Sequence, residues 1–285
     1  MTLRSGQALT TGSATLVLVT SIAKQSRANG NVSFGHSPTT NVDNPNALVA
    51  TPNMKLINKI PFKRQVIILL FSCFLSICLI EFRVTYFKNK YNHFLIWNLI
   101  LALVPLLLAY ISFIYYYARR RKIDIILIIL FFCWLLFFPN APYIVSEFIH
   151  LKPKKGIPIW FDILLFYSFS WNGMFSGIIS LRLIQIMIQD RFNMFIGWIL
   201  IILIMPLASF GIYLGRFYRW NSWDILNDPI IMLQDSFNIF MKIYSNSNLF
   251  NFLSVMSLSI LIAYILVISL ASLNIEHYSK EKIDK

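Results

Sequence analysis

From Phe62 onward the chain repeats one pattern: about 20 mostly apolar residues, then a short polar or basic connection. A run of that length, wound as a helix, crosses the roughly 30 Å hydrocarbon core of a bilayer. Six such runs stand at about 62–82, 94–117, 123–151, 159–188, 194–217 and 251–273. Hydrophobic residues make up 57% of the 285 positions and charged residues 13%, against about 25% charged in a soluble domain. Such a chain cannot cover itself with polar surface, so lipid must act as its solvent. The expected fold is all-α: an integral membrane helical bundle of about six transmembrane helices, with membrane lipids as partners.

The formal net charge of +13 suggests nucleic acid only if its placement is ignored. Basic residues gather beside the apolar runs, at Lys55, Lys59, Lys63 and Arg64, at Arg119 to Lys122, and at Lys280, Lys282 and Lys285. Those are the positions of topology determinants and of contacts with anionic lipid. No basic face with base-reading residues can be assembled, so nucleic acid is not an expected partner. Lys and Arg are marginally more numerous on the side that would hold the N-terminus, which favours an N-terminus inside. Cys73, Cys78 and Cys133 all lie in apolar runs with no zinc-ligand spacing. They read as small core residues, and neither a metal nor a cofactor is expected.

Residues 1–53 differ from the rest, being rich in Ser, Thr, Asn, Gly and Ala with Asp43 as their one acid. Their longest apolar stretch, Leu16 to Val19, is too short for a span or a signal-peptide core. They are expected to be disordered, or a spurious extension, because the residues from Met54, MKLINKIPFKR, make a natural basic lead into the first span. The expected division is therefore 1–53, a transmembrane domain at 54–275, and a short basic tail at 276–285.

Four motifs depart from plain apolar character. The third segment is interrupted by Pro139-Asn140-Ala141-Pro142. Two prolines remove two backbone donors and disfavour helix just before them, so a broken third helix is expected. Tyr143, Glu147 and His150 follow at helical spacing on one face. Glu147 with His150 reads either as an acid/base pair or as a solvated helix end. The fourth segment opens on Trp160-Phe161-Asp162, and Ser168, Asn172, Ser176 and Ser180 then recur every four residues beside Gly173 and Gly177. That spacing suits close helix packing, the alternative being that Asn172 lines a polar cavity.

The fifth segment runs into GIYLGRFYRWNSWD, from Gly211 to Asp224. Tyr213, Arg216 and Arg219 lie near one face, and Asn221 or Ser222 is placed to cap a helix with Asp224 at its first turn. The arginines can snorkel to the interface or meet Glu147, Asp162 or Asp224 in an ion network or anion-binding cleft. Asp228-Pro229 then starts a short helix whose apolar stripe is Ile230, Leu233, Phe237, Phe240, Met241 and Tyr244. It is too short to span and reads as interfacial, lying before the last span as a cover for the polar cluster. The ends of segments three and five and the start of segment four must share one side of the membrane.

The residues PNAPY at 139–143, WFD at 160–162, WNG at 171–173 and GIYLGRFYRWNSWD at 211–224 resemble, in order and spacing, the membrane-protein family known as domain of unknown function 1361. The resemblance covers roughly residues 94–270, and residues 1–53 have no counterpart in it. Where the family pattern often has an aspartate this chain has Glu147, which leaves an acid in place. The resemblance implies a multi-pass protein mainly of bacteria, and so a bacterial plasma membrane. It brings no activity and no catalytic residue.

The function expected from these residues is binding or transport of a small polar or anionic ligand, or a lipid headgroup, in an outward-facing cleft. Arg216 and Arg219 would grip it, Asn140 and Asn172 would donate hydrogen bonds, and Asp162 and Asp224 would hold the arginines, with Tyr143, Glu147, Tyr213 and Asn221 completing the set. One alternative is a scaffold protein whose polar cluster only staples helix ends. Another is an intramembrane enzyme acting on a lipid-linked substrate, which is disfavoured by the absence of HExxH, GxSxG or a dense acidic box.

Overall fold

The computed structural model describes residues 61–88 and 92–283. The expectations for residues 1–53 and for Met54 therefore lie outside the described residues. Helices α1 (Lys63–Phe87) and α2 (Phe94–Ala118) form the first two spans. The third begins as α3 (Ile125–Phe137), continues through α4 (Asn140–Tyr143) and tightens into a 3₁₀ stretch at Ile144–His150. Helix α5 (Ile159–Arg191) is the fourth span, and α6 (Met194–Tyr213) with a π turn at Leu214–Tyr218 is the fifth. Two short helices, α7 (Asp224–Asn227) and α8 (Pro229–Met241), precede α9 (Ser247–Ile283). Among the described residues six helices are thus long and apolar enough to cross a membrane, and the fold is an all-α bundle. Helix α9 runs through Ile283.

Side-chain caps fix two of the starts. Asp124 accepts a hydrogen bond from the Leu127 N–H at 3.0 Å ahead of α3, and Asn193 accepts from the Ile196 N–H at 2.8 Å ahead of α6. The bundle is built around α5. Its best 18-residue window has a mean hydropathy of only 1.2, the lowest of the six, yet 67% of that window is buried, the highest share. The two facts have one cause: its polar residues face protein, where they find partners, and the more apolar helices around it face lipid. The Ser176 hydroxyl donates to the Ala102 carbonyl on α2 at 2.7 Å. Asn172 Nδ2 donates to Ser76 Oγ on α1 at 2.8 Å. The Tyr264 hydroxyl on α9 donates to Gln185 Oε1 at 2.6 Å.

The third span is segmented but not unwound. Phe138, Pro139 and Ile144 all keep right-handed helical backbone angles, so the prolines change the helix type and leave its direction intact. Carbonyls at the two ends of the segment also accept from side chains elsewhere in the bundle: Leu136 O accepts from the Ser222 hydroxyl at 2.9 Å, and Ile144 O from the Ser170 hydroxyl at 3.2 Å. This segment is seated between glycines of two neighbouring helices. A Cβ on Gly173 of α5 would stand 2.7 Å from the Ala141 carbonyl oxygen, and one on Gly211 of α6 would stand 2.6 Å from Pro139 Cγ. Both distances are below any real contact, so the close approach depends on hydrogen at those positions.

Helix α8 exposes Ile230, Leu233, Phe237, Phe240 and Met241, with Tyr244 exposed in the turn after it, and turns Ile239 inward against Leu214, Leu249 and Leu253. The expected apolar stripe therefore faces away from the bundle, as an interfacial helix dipping into lipid requires. Only Met232 of this helix reaches the wall of the cleft described below, which differs from the expectation that the helix covers the polar cluster.

Candidate functional site

Two buried ion pairs sit on the side where α1, the third span and α6 end. Near the C-terminal end of α1, Arg83 is fully buried and meets Asp162 of α5 in a forked pair, Nε to Oδ1 at 2.6 Å and Nη2 to Oδ2 at 3.1 Å. Two parallel bonds in one plane are the strong form of this contact. Lys154 Nζ donates to Asn92 Oδ1 at 3.4 Å beside it. Burial pushes the Lys154 amine below its usual range, and the nearby Arg83 charge pushes the same way, partly offset by Asp162.

The second pair joins the 3₁₀ stretch to the π turn. Arg216 Nη2 lies 2.9 Å from Glu147 Oε1, and the two side chains are 9% and 3% exposed. Arg216 also donates from Nε to Ser146 Oγ at 3.0 Å. Its Nη1 lies 3.0 Å from His150 Nε2, and because a guanidinium only donates, that imidazole nitrogen is the acceptor. The guanidinium carbon stands 4.5 Å from the centre of the Tyr143 ring, within cation–π reach. Glu147 Oε1 accepts a further bond from Asn98 Nδ2 at 2.9 Å. Helix type matters here: the π turn places Arg216, and the 3₁₀ stretch, following Tyr143 at the end of α4, brings Ser146, Glu147 and His150 around it.

Adjoining this network is a cavity of about 510 Å³ between α2, the third span and α6. Asn98, Asn140, Tyr143, Trp220, Asn221 and Ser222 form its polar end. Leu101, Phe132, Cys133, Leu136, Leu207 and Phe210 form apolar walls. Phe132 and Leu207 are themselves exposed on the outer surface of the bundle, so the cleft opens sideways, towards lipid. Asn140 Nδ2 donates to Ser222 Oγ at 3.0 Å, tying the proline segment to the loop after the π turn.

The residues singled out in the sequence divide into three groups. Asn140, Tyr143 and Asn221 line the cleft, and Glu147 and Arg216 stand behind it as a neutral pair. Asp162 and Asn172 belong elsewhere. Asp162 holds Arg83 where Arg216 or Arg219 had been expected, and Asn172 packs against α1 with its Oδ1 unpartnered, away from the cleft. Asp224 likewise binds no arginine among the described residues. Its Oδ2 accepts from the Asn221 backbone N–H at 2.6 Å, a capping contact. Tyr213 stacks among Phe217, Tyr218 and Phe252. Arg219 is exposed, in a left-handed conformation with φ 60°. Arg216 is thus turned inward and Arg219 outward, and the two do not close on one anion.

Sequence reasoning missed Arg83, Asn98 and Ser146. Asn98 had a signal, being a lone amide in an otherwise apolar run. Arg83 stands one residue past the apolar run at 62–82, whereas α1 continues to Phe87. Among the described residues no group of three or more His, Cys, Asp or Glu side chains is placed to hold a metal ion.

A family model described as "Protein of unknown function (DUF1361)" matches residues 97–273. The chain belongs to this family. The DUF1361 match takes in Asn98, the whole Glu147–Arg216 network and the cleft, and leaves out α1 with Arg83. No curated protein and no solved structure matches the chain.

Proposed function

We propose that this DUF1361 protein binds an amphiphile in the lateral cleft, with the headgroup at the polar end and the hydrocarbon against the apolar walls. The observation that supports this is the cavity itself, which joins a lipid-facing wall at Phe132 and Leu207 to a cluster of amide, hydroxyl and aromatic groups. Arg216 is already neutralised by Glu147 and saturated by Ser146 and His150. Asn98 and Asn140, each keeping an amide hydrogen and a carbonyl oxygen beyond its bond to Glu147 or Ser222, are with Tyr143 and Asn221 the groups that meet a ligand, and they recognise by hydrogen bonds rather than by charge. The headgroup that fits is therefore uncharged and rich in hydroxyls, as in a sugar- or glycerol-bearing lipid, and Trp220 offers it an aromatic face. In this reading the Glu147–Arg216 network has the structural role of a rigid back wall. The proposal takes the host to be a bacterial plasma membrane with the N-terminal end of α1 inside. That orientation turns the basic Arg119–Lys122 connection to the cytoplasm.

The test is native mass spectrometry of the full chain in an amine-oxide detergent, titrated with a monoglycosyl diacylglycerol and with the corresponding diacylglycerol. The sugar-bearing lipid should be retained about ten-fold more tightly, the equivalent of roughly 1.4 kcal/mol. Leu136→Trp, which fills the apolar wall, should abolish retention of both. Equal retention by wild type and Leu136→Trp would sink the proposal.

A further inference from the structure

The opposite end of the bundle carries a second cavity, of about 490 Å³, between the α2–α3 connection and the end of α5. Arg120, Arg121, Lys122 and Arg191 line it, with Asp190 as its one acid. Arg121 is spoken for, lying 3.1 Å from Asp190. The side chains of Arg120, Lys122 and Arg191 are exposed and have no counter-ion among the described residues. Three positive charges are left facing one hollow. Directly beneath lies an apolar groove of about 320 Å³ between α3, α5 and α6, and the two share Tyr116, Ile123 and Arg191. Ile128 and Phe132 on the wall of that groove are exposed on the lipid-facing surface.

The backbone adds an independent observation. Helix α2 ends in a Schellman turn, in which the Arg121 N–H bonds the Tyr116 carbonyl at 2.9 Å and the Arg120 N–H bonds the Tyr117 carbonyl at 3.2 Å. That turn needs a left-handed residue at position 120, a place usually filled by glycine, and here an arginine occupies it with φ 53°, followed by Arg121 with φ 63°. Two consecutive arginines in the strained region cost stability that glycine would not. The strain holds both cationic side chains beside the hollow.

We infer that this end of the protein is a binding site for an anionic glycerophospholipid, its phosphate held by Arg120, Lys122 and Arg191 and one acyl chain lying in the groove beneath. A basic hollow contiguous with an apolar groove suits a lipid with a charged headgroup, and basic pockets between transmembrane helices take such headgroups. Its basic hollow is at the other end of the bundle from the polar end of the cleft, and Phe132 is the one residue that lines both the groove and the cleft.

The experiment is native mass spectrometry of the full chain titrated with phosphatidylglycerol and with phosphatidylcholine of identical acyl chains. Wild type should prefer phosphatidylglycerol at least ten-fold, and each of Arg120→Gln, Lys122→Gln and Arg191→Gln should lower that preference about five-fold. Arg64→Gln, which removes an exposed charge at the same end but outside the hollow, should leave it unchanged. Ile128→Trp should weaken both lipids by filling the groove. Arg120→Gly gives a reading that misfolding cannot mimic, since it should raise the unfolding midpoint while lowering the lipid preference. Three results would overturn the inference: an unchanged preference in the triple glutamine variant, an Arg64→Gln effect as large as the others, or displacement of the lipid by millimolar glycerol 3-phosphate, which would make the ligand a soluble anion.

Discussion

Arg216 and Arg219 stand three residues apart in one motif, and the structure assigns them opposite consequences when their surroundings are altered. Glu147→Gln removes a charge while keeping the side-chain shape, and leaves Arg216, 9% exposed, as an unpaired cation facing Ser146, His150 and Tyr143. Breaking a buried ion pair from one side costs about 3–5 kcal/mol. The glutamine oxygen can still accept from Arg216 or Asn98, so the lower end, about 3 kcal/mol, is expected here. At roughly 2–4 °C per kcal/mol for a domain of 150–250 residues, the unfolding midpoint should fall by about 6–12 °C. Arg219→Ala removes an exposed side chain with no partner among the described residues and should shift the midpoint by no more than about 0.5 kcal/mol in equivalent terms. The assay is thermal unfolding of the detergent-solubilised protein, followed by tryptophan fluorescence, with the variants side by side. Adding Arg216→Gln to Glu147→Gln should recover part of the loss, because the double variant no longer strands a charge. If Glu147→Gln costs no more than Arg219→Ala, the network is not structural, and both side chains return to the pool of groups available to a ligand.

Three further outcomes follow from the geometry. Gly173→Ala should destabilise by about 1–3 kcal/mol, since the new methyl meets the Ala141 backbone oxygen, which cannot move aside; Gly197→Ala meets Gln189 Cγ first, a side chain that can rotate away, and should cost less in the same melt. Arg83→Ala, which strands Asp162, should cost about 3–5 kcal/mol, and replacing both residues by leucine should cost less than Arg83→Ala alone, as a double-mutant cycle would read. The hydrogen bond from Tyr115, and then the Leu127 N–H, hold the Asp124 carboxyl below its ordinary range. A depressed folded-state value means a contribution present above the ordinary carboxylate range and lost as pH falls through the lowered one. Acid should therefore loosen the start of α3, and Tyr115→Phe should move that loss to higher pH, as hydrogen exchange at Leu127 would report.

The six spans were legible because length and apolar content are read by the bilayer itself, with little tertiary context involved. The same held for the interfacial character of α8, whose stripe at helical spacing turned out to be its exposed side. Pairings were another matter. Periodicity places a residue on a face but does not say which helix that face meets, so Asp162 was matched with the nearest arginines in motif space when its partner was Arg83, 79 residues away. The break at Pro139–Pro142 is where the prolines place it, α3 ending at Phe137 and α4 starting at Asn140. Proline predicts the loss of a donor, and only the fold shows that Ser222 and Ser170 supply donors to nearby carbonyls, so that the helix need not unwind.

The motifs that carry the family resemblance make sense as parts of one joint. Pro139-Asn140-Ala141-Pro142-Tyr143 is a helical segment short of backbone donors, and such a segment in a membrane needs close neighbours that bring hydroxyls and leave room. Gly173 and Gly177 on α5, with Gly211 on α6 and Gly215 in the π turn, supply the room on either side. Ser222, in the loop after Trp220, supplies a hydroxyl that bonds both Leu136 O and Asn140 Nδ2. The two arms leaving the joint then change helix type, to 3₁₀ at Ile144–His150 and to π at Leu214–Tyr218, and it is those changes that set Glu147 against Arg216. A regular α-helix through either stretch would rotate one member of the pair away. The cleft lies directly beside this joint, lined by Pro139, Asn140, Tyr143, Gly211 and Gly215. Stability of the joint and shape of the cleft are thus set by the same residues, so a substitution that loosens one must deform the other.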